Sequence, residues 1–241
     1  MKVALQLSGR LKFSNDSLGS LISAIIDIAK PDIFCSFWYP DKESTSTIFE
    51  KNINSVLCEY EDHSLIRPYL DKLFDSKKIY FNLPAMAYKF HRASMIRQMH
   101  ERATNTTYDV VIQTRTDVVF FEKLNYISLQ ESLDKQAILC SNFFIPYIDT
   151  FIKPSMRDQF YFGPSKLMDL ANSEFWHLLN TVEFYEGRNL PHHISCTEII
   201  QSKIWQNLKI NVQPLKGNNL CGSYFRGHFA YDVDRRPTDF T

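Results

Sequence analysis

The sequence predicts an α/β fold in which helices flank a mainly parallel sheet within a single domain. Three observations favour this class. Short and almost wholly apolar runs, typical of strands buried on both faces, recur along the chain. Segments with apolar residues at helical spacing separate these runs. The 241 residues, of which 44% are hydrophobic, supply enough apolar material for one sizeable core.

The start of the chain predicts a strand–helix–strand unit. Residues 2–7 (KVALQL) and 32–38 (DIFCSFW) have the composition of buried strands. Between them, Asn15 and Asp16 offer a helix cap, and Pro31 ends the helix. The apolar residues at helical spacing are Leu18, Leu21, Ile22, Ile25 and Ala29. This order predicts a right-handed βαβ unit.

A long helix is predicted over residues 84–103, because Pro84 suits a first helical turn and apolar side chains line one face. The opposite face carries four cations, and we expect it to face solvent. These cations are Lys89, Arg92, Arg97 and Arg102. Before this helix, residues 55–60 predict a third strand and residues 40–54 a loop or short helix. Residues 61–83 predict irregular structure.

Residues 108–114 (YDVVIQT) give the strongest strand prediction, and the apolar run VVFF follows at 118–121. Residues 158–163 predict a short segment that ends at a turn. The remaining predicted elements are strands at 137–143 and 210–215 and helices at 165–185 and 194–208. The strand at 210–215 is expected to close the regular structure, leaving a polar C-terminal arm.

Composition excludes several classes of protein. The 27 Lys plus Arg equal the 27 Asp plus Glu, whereas a nucleic-acid binder usually carries a basic surplus. Neither glycine-rich phosphate-loop motif occurs. The five cysteines are far apart and odd in number, which disfavours a zinc ribbon or a disulfide scaffold and fits a reducing compartment. No signal peptide or membrane-spanning run is visible, so we expect a cytoplasmic protein without a transmembrane segment.

Two polar segments follow predicted strands, at the edge of the sheet where open α/β sheets bind ligands. Ser8, Gly9 and Arg10 follow the first strand. Gly9 would let a ligand approach the backbone, and Arg10 can form paired hydrogen bonds with phosphate. The alternative is a simple tight turn with a surface arginine.

The second segment, Arg115-Thr116-Asp117, presents a cation and a carboxylate two residues apart. On an extended chain these two side chains share a face. Arg115 can offset the charge of a diphosphate, and Asp117 can bind a divalent metal or a ribose hydroxyl. The alternative is an internal ion pair that ties two strands together.

The stretch AMAYKFHRASMIRQMHERATNTTYDVVIQTRTDVVFF, at 85–121, resembles nucleotide-sugar glycosyltransferases of the GT-A fold that assemble surface polysaccharides in bacteria and large viruses. KVALQLSGR is similar to their opening strand, Asp158-Gln159-Phe160 to a later segment, and Cys196-Thr197-Glu198 with INVQPL to their closing helix and strand. The resemblance implies a Rossmann-type sheet, with a donor half at 1–121 and an acceptor half and C-terminal arm at 122–241. The implied reaction moves a sugar from a nucleotide diphosphate donor to a glycan or glycolipid acceptor, at a membrane surface if the acceptor is lipid-linked.

The resemblance also implies roles for single residues. Asp158 would be the catalytic base, with Gln159 and Glu198 on the acceptor side and Glu198 as the alternative base. The implied donor-binding residues are Ser8, Gly9, Arg10, Arg92, Arg115, Thr116 and Asp117. Inversion and retention of the anomeric configuration both stay open.

Most GT-A enzymes hold Mn²⁺ or Mg²⁺ with a D-x-D motif after this strand, whereas Arg115 stands at the first acidic place here. Either Arg115 partly replaces the cation, or Asp117 still binds a metal ion with His228 as a second ligand. The missing carboxylate also leaves an alternative open, a non-catalytic nucleotide- or glycan-binding module on the same fold. A nucleotidyltransferase is disfavoured, because glycine and lysine are scarce near the first strand.

Overall fold

The centre of the molecule is a seven-stranded mixed sheet with the strand order β3-β2-β1-β4-β7-β6-β8. The computed structural model describes residues 1–40, 43–73, 83–141, 159–179, 197–215, 221–225 and 228–229. The strands of this sheet are β1 (Val3–Arg10), β2 (Asp32–Trp38), β3 (Leu57–Glu61), β4 (Val110–Thr114), β6 (Ile138–Cys140), β7 (Phe160–Pro164) and β8 (Val212–Pro214). Within this sheet β7 alone runs antiparallel to its neighbours, so the predicted α/β class with a mainly parallel sheet is confirmed.

Helices cover both faces of the sheet. They are α1 (Asn15–Leu21), which continues through a π-helical turn (Ile22–Ile26) into α2 (Asp27–Ala29), α3 (Glu43–Asn52), α4 (His63–Leu73), α5 (Leu83–Thr104), α6 (Tyr126–Asp134), α7 (Ser165–Leu178) and α8 (Thr197–Asn207). Alternate residues of β1 enter two different apolar clusters: Val3, Leu5 and Leu7 pack with α1 and α3, and Ala4 packs with α5 and α7. None of the helices in the described ranges has the length and apolar character needed to cross a membrane.

A second, three-stranded sheet was not predicted. It has the order β10-β9-β5 and consists of β5 (Val118–Phe120), β9 (Cys221–Phe225) and β10 (His228–Phe229). The expectation that regular structure closes near residue 215 was therefore wrong. β9 and β10 are short and lack a sustained apolar run, so their pairing with β5 leaves no periodic signal in the sequence.

Two further sequence predictions need correction. The region 61–83 was expected to be irregular, but α4 occupies His63–Leu73 with Pro68 inside it. The segment at 158–163 was expected to end at a turn. In the structure Phe160–Pro164 forms β7, a fully buried strand between β4 and β6. Pro68 in the first segment and Gly163 at the end of the second suggested a break, and tertiary packing overrides that local preference.

The prediction that the four cations of α5 face solvent was wrong for two of them. Lys89 and Arg97 are both fully buried, while Arg102 is exposed. α5 is buried on two sides because it packs on the sheet and also against α7, which lies beside it on the same face. Arg97 donates to Glu101 at 2.6 Å and to Ser165 at 3.1 Å, and it also pairs with Asp169 of α7. Charge alone cannot distinguish a cation in water from one neutralised by a second helix.

We expect Arg97→Met to lower the free energy of unfolding by about 3–5 kcal/mol, because it leaves Asp169 partly buried without its counterion. The control Arg102→Met removes an exposed cation from the same helix and should change stability by less than about 0.5 kcal/mol. Urea denaturation of both variants measures the difference. Equal stabilities would contradict the buried ion pair.

Candidate functional site

The strand order reverses between β1 and β4. From β1 the chain moves outward to β2 and β3, and it then returns to β4 on the other side of β1. At such a reversal a crevice opens outside the carboxyl ends of the two strands. β1 ends at Arg10 and β4 ends at Thr114, so both polar segments singled out from the sequence lie at this crevice.

The end of β1 leaves the backbone accessible. Gly9 has a φ of +103°, a conformation that side chains disfavour, and an added Cβ would meet no atom within 4 Å. Arg10 is exposed beside it. Ser8 is buried, and its hydroxyl accepts a hydrogen bond of 2.8 Å from Gln113 Nε2 of β4. The segment therefore offers an open backbone and a free-standing cation next to a hydrogen-bonded link to β4.

The Arg115–Asp117 segment is a turn that closes on itself. The Arg115 guanidinium donates to both carboxylate oxygens of Asp117, with Nε–Oδ1 2.9 Å and Nη2–Oδ2 2.5 Å. The two side chains meet through this turn rather than along an extended strand, so the reason expected for their proximity was wrong. Their ion pair lies within one turn and does not tie two strands together. Both side chains remain partly exposed at the crevice.

Thr116 fastens this turn to the chain that leaves β1. Its side chain is buried, its hydroxyl donates to the Lys12 carbonyl at 2.9 Å, and it accepts from the Lys12 backbone N–H at 3.3 Å. The two predicted segments therefore form one structural unit. The Thr116 hydroxyl is engaged by backbone, so it positions the turn.

Arg92 lies away from the crevice. Its guanidinium pairs with Glu59 of β3, with Nη2–Oε2 2.5 Å and Nε–Oε1 3.1 Å. β3 lies two strand positions from β1 and three from β4, about 10 Å and about 14 Å at ordinary strand spacing. The structure thus groups Ser8, Gly9 and Arg115 but separates Arg92 from them.

Glu59 is held as a carboxylate by its neighbours. Burial raises its pKa, but hydrogen bonds from Arg92 and from Ser36, the latter 2.6 Å long, together with the charges of Arg92 and Lys89, outweigh burial and hold the pKa below its ordinary value. Arg92 thus has a structural partner that sequence inspection did not reveal.

A second buried charge lies next to this pair. Lys89 Nζ is 2.6 Å from Glu61 Oε2, 3.3 Å from Ser36 Oγ and 4.3 Å from the centre of the Trp38 ring. Burial lowers the pKa of Lys89, and the Glu61 carboxylate only partly offsets this. Tyr88 donates to the other Glu61 oxygen at 2.9 Å and stacks on Trp38. Two spacings in the sequence could have indicated this cluster. Glu59 and Glu61 are two apart in a short strand and so share a face, and Lys89 and Arg92 are three apart on one face of a helix.

Trp38, at the end of β2, connects the Lys89–Glu61 cluster to the strand position of Arg10. Arg10 is in register with Trp38, and the His63 ring lies 4.9 Å from the Trp38 ring. Burial lowers the pKa of His63, and the positive charges of Arg67 and Arg10 lower it further. The end of β2 therefore places a buried indole in register with Arg10, with the His63 imidazole against that indole.

The acceptor-side residues are described only in part. The Gln159 carbonyl accepts a hydrogen bond of 2.8 Å from Thr114, which holds the start of β7 against the end of β4. Asp158 lies outside the described residues. Glu198 is in the first turn of α8 and His228 is in β10, but their side chains are not described. β10 pairs with β9, and β9 pairs with β5, the strand that begins directly after Asp117.

The described side chains do not fit a divalent metal ion in this turn. Both oxygens of Asp117 accept hydrogen bonds from Arg115, which occupies the positions that a cation would take. Within the described residues, no cluster of three His, Cys, Asp or Glu side chains could hold a metal ion.

Comparison with protein-family models finds no matching family, and a comparison with curated proteins finds none with significant sequence similarity.

Substitution of Gly9 tests the backbone conformation at the end of β1, and substitution of Gly19 in α1 serves as the control. Gly9→Ala should lower the free energy of unfolding by about 1–3 kcal/mol, because its positive φ disfavours any side chain. Gly19→Ala, in α1, should raise it by about 0.5–1 kcal/mol, because alanine suits a helix better. An added Cβ meets no atom within 4 Å at either position, so denaturant unfolding isolates the backbone effect. Effects of the same sign would contradict the assigned φ of Gly9.

The Glu59 ion pair predicts a pH-dependent stability. A lowered carboxyl pKa in the folded protein stabilises it above the ordinary value of 4.5, and this contribution is lost as the pH falls through the folded pKa. The stability difference between wild type and Glu59→Gln should therefore be largest near neutral pH and shrink in acid. Unfolding measured from neutral pH down to acid tests this, with exposed Glu122→Gln as the control. A difference that does not change with pH would contradict the pairing.

Proposed function

We propose that the chain is a glycosyltransferase that moves a sugar from a nucleotide diphosphate donor to a glycan or glycolipid acceptor. One observation carries the proposal: two polar segments flank the crevice at the strand-order reversal, and Thr116 joins them into one unit. Open α/β sheets bind nucleotides at this position. The resemblance of residues 85–121 to GT-A enzymes supports the choice of a sugar nucleotide. The proposed setting is the cytoplasm, at a membrane surface for a lipid-linked acceptor.

In the proposed complex, the donor lies across the ends of β1 and β4. The open backbone at Gly9 admits the nucleotide, with Ser8 and Arg10 beside it. Arg115 holds the diphosphate, because a guanidinium binds phosphate oxygens through two parallel hydrogen bonds. A bound diphosphate therefore displaces the Asp117 carboxylate from Arg115, and Asp117 is freed for a ribose hydroxyl.

Sugar transfer builds negative charge on the departing nucleoside diphosphate. A cation placed beside that charge before the reaction lowers the barrier, which is the role proposed for Arg115. Asp158 is the proposed base that removes the proton from the acceptor hydroxyl. The adjacent Gln159 is held at the end of β4 by Thr114, so the acceptor side of the chain begins at the crevice. Glu198, in the first turn of α8, is the proposed second acceptor-side residue.

One observation favours a second function, a nucleotide- or glycan-binding module without catalysis. Arg115 neutralises Asp117, the only carboxylate of the turn. A metal-dependent transferase would instead offer a free carboxylate to a metal ion at this place. Slow release of nucleoside diphosphate from a sugar nucleotide in the absence of acceptor distinguishes the two functions, because a binding module does not break the glycosidic bond.

Thermal unfolding with a panel of nucleoside diphosphates and sugar nucleotides tests the donor site. A ligand that binds only the folded protein raises the melting temperature by mass action. We expect a rise with one nucleotide family, and we expect Arg115→Ala to abolish it because the diphosphate loses its paired donor. Each ligand is measured with and without Mn²⁺.

The matched control is Arg102→Ala, which removes an exposed arginine at the far end of α5 and should keep the full shift. No shift with any nucleotide at millimolar concentration would overturn the donor site. A shift that survives Arg115→Ala would leave a nucleotide site but refute the role of Arg115. A shift that requires Mn²⁺ would show that Asp117 leaves Arg115 to bind metal.

A further inference from the structure

Two cysteines face each other across neighbouring strands, away from the crevice residues. Cys35 of β2 is in direct register with Cys58 of the parallel strand β3. Residues in register on adjacent strands point to the same face, and their Cα atoms lie about 4.8 Å apart. That separation falls within the range of about 4.4–6.8 Å found for disulfides. The backbone therefore already places the two thiols where a disulfide could form.

The two thiols differ in accessibility. Cys35 is fully buried in the cluster between the sheet and α1, whereas Cys58 is partly exposed and packs against that cluster. β3 is an edge strand of the sheet, so Cys58 is the member of the pair that a small oxidant in solution can reach. Cys140 is buried on β6, three strands beyond β1, and its thiol donates weakly to the Gln213 carbonyl.

The surroundings of the two thiols shift their pKa values in opposite directions. A hydrogen bond with Cys35 lowers the pKa of Cys58, and this outweighs burial and the nearby carboxylates of Glu50 and Glu59, which raise it. Burial and the same contact raise the pKa of Cys35. The thiolate is the form that reacts with oxidants, so Cys58 would react first and Cys35 second.

We propose that Cys35 and Cys58 are a redox-modification site, in which a peroxide oxidises Cys58 and Cys35 then closes a disulfide between β2 and β3. In the first step the Cys58 thiolate attacks a peroxide oxygen, the O–O bond breaks, and a sulfenic acid forms while the leaving hydroxide takes a proton to become water. In the second step the Cys35 sulfur attacks the sulfenic sulfur, the S–O bond breaks, and the hydroxide leaves as water with the Cys35 proton. Two thiols are oxidised and one peroxide is reduced to two waters.

The disulfide would fix the edge strand that carries Glu59 and Glu61. These carboxylates hold Arg92 and Lys89 of α5 from the opposite face of β3. The modification therefore acts on the strand that joins the sheet edge to α5. It does not depend on the proposed transferase activity.

Treatment of the folded chain with hydrogen peroxide, followed by thiol blocking and non-reducing tryptic mapping, tests the site. Trypsin cleaves after Lys42 and Lys51, so Cys35 and Cys58 fall on separate peptides that only a disulfide keeps together. We expect this linked peptide to appear, to vanish on reduction with dithiothreitol, and to form while Cys140 stays unmodified.

Single substitutions test the order of attack. Cys35→Ser should leave a sulfenic acid on Cys58 that dimedone labels, whereas Cys58→Ser should abolish the oxidation of Cys35. Circular dichroism checks that both variants are folded, and the wild-type map stands if either is not. Absence of the linked peptide in oxidised wild type, or oxidation of Cys35 in folded Cys58→Ser, would overturn the proposal.

Discussion

The rest of the structure depends on how α5 neutralises the cations that it carries into the interior. A helix packed against a sheet and against a neighbouring helix would normally be apolar on both of these sides, because an isolated buried charge is very costly. Here Lys89 and Arg92 pair with carboxylates of the edge strand β3, and Arg97 pairs with Asp169 of α7. One helix thus links the edge strand β3 to the neighbouring helix α7 through ion pairs.

This arrangement fixes the elements that form the crevice. α5 packs on β1 and β2 and leads directly into β4, so its position sets where β4 returns beside β1. The strand order reverses at that point, and the hydrogen bonds of Thr116 to Lys12 and of Gln113 to Ser8 then join the two strand ends. The open backbone at Gly9 is a local feature, and it becomes part of a candidate site only because the long-range pairing brings the Arg115 turn beside it.

Elements with strong local patterns could be predicted from sequence, and elements defined by tertiary pairing could not. The apolar runs of β1, β2 and β4 and the length of α5 are visible in the chain itself. The segment that forms β7 was expected to end at a turn because Gly163 closes a short apolar run, although its neighbours bury the strand completely. The burial of Lys89 and Arg97 was missed because a solvated and a neutralised cation look alike in sequence. At the site, the grouping of Ser8, Gly9 and Arg115 follows from strand ends meeting at one edge, whereas the pairing of Arg92 with Glu59 depends on the register of an edge strand.

The Arg115–Asp117 pair places a cation and its counterion within one turn. Asp117 acts as a tethered competitor: its carboxylate is present at an effective concentration of the order of millimolar or more, because two residues of chain hold it in place. An anion from solution binds Arg115 only if it carries more charge than the Asp117 carboxylate and accepts both hydrogen bonds of the guanidinium equally well. In the proposed donor complex, this internal competition would favour ligands with more than one negative charge over weak monovalent anions.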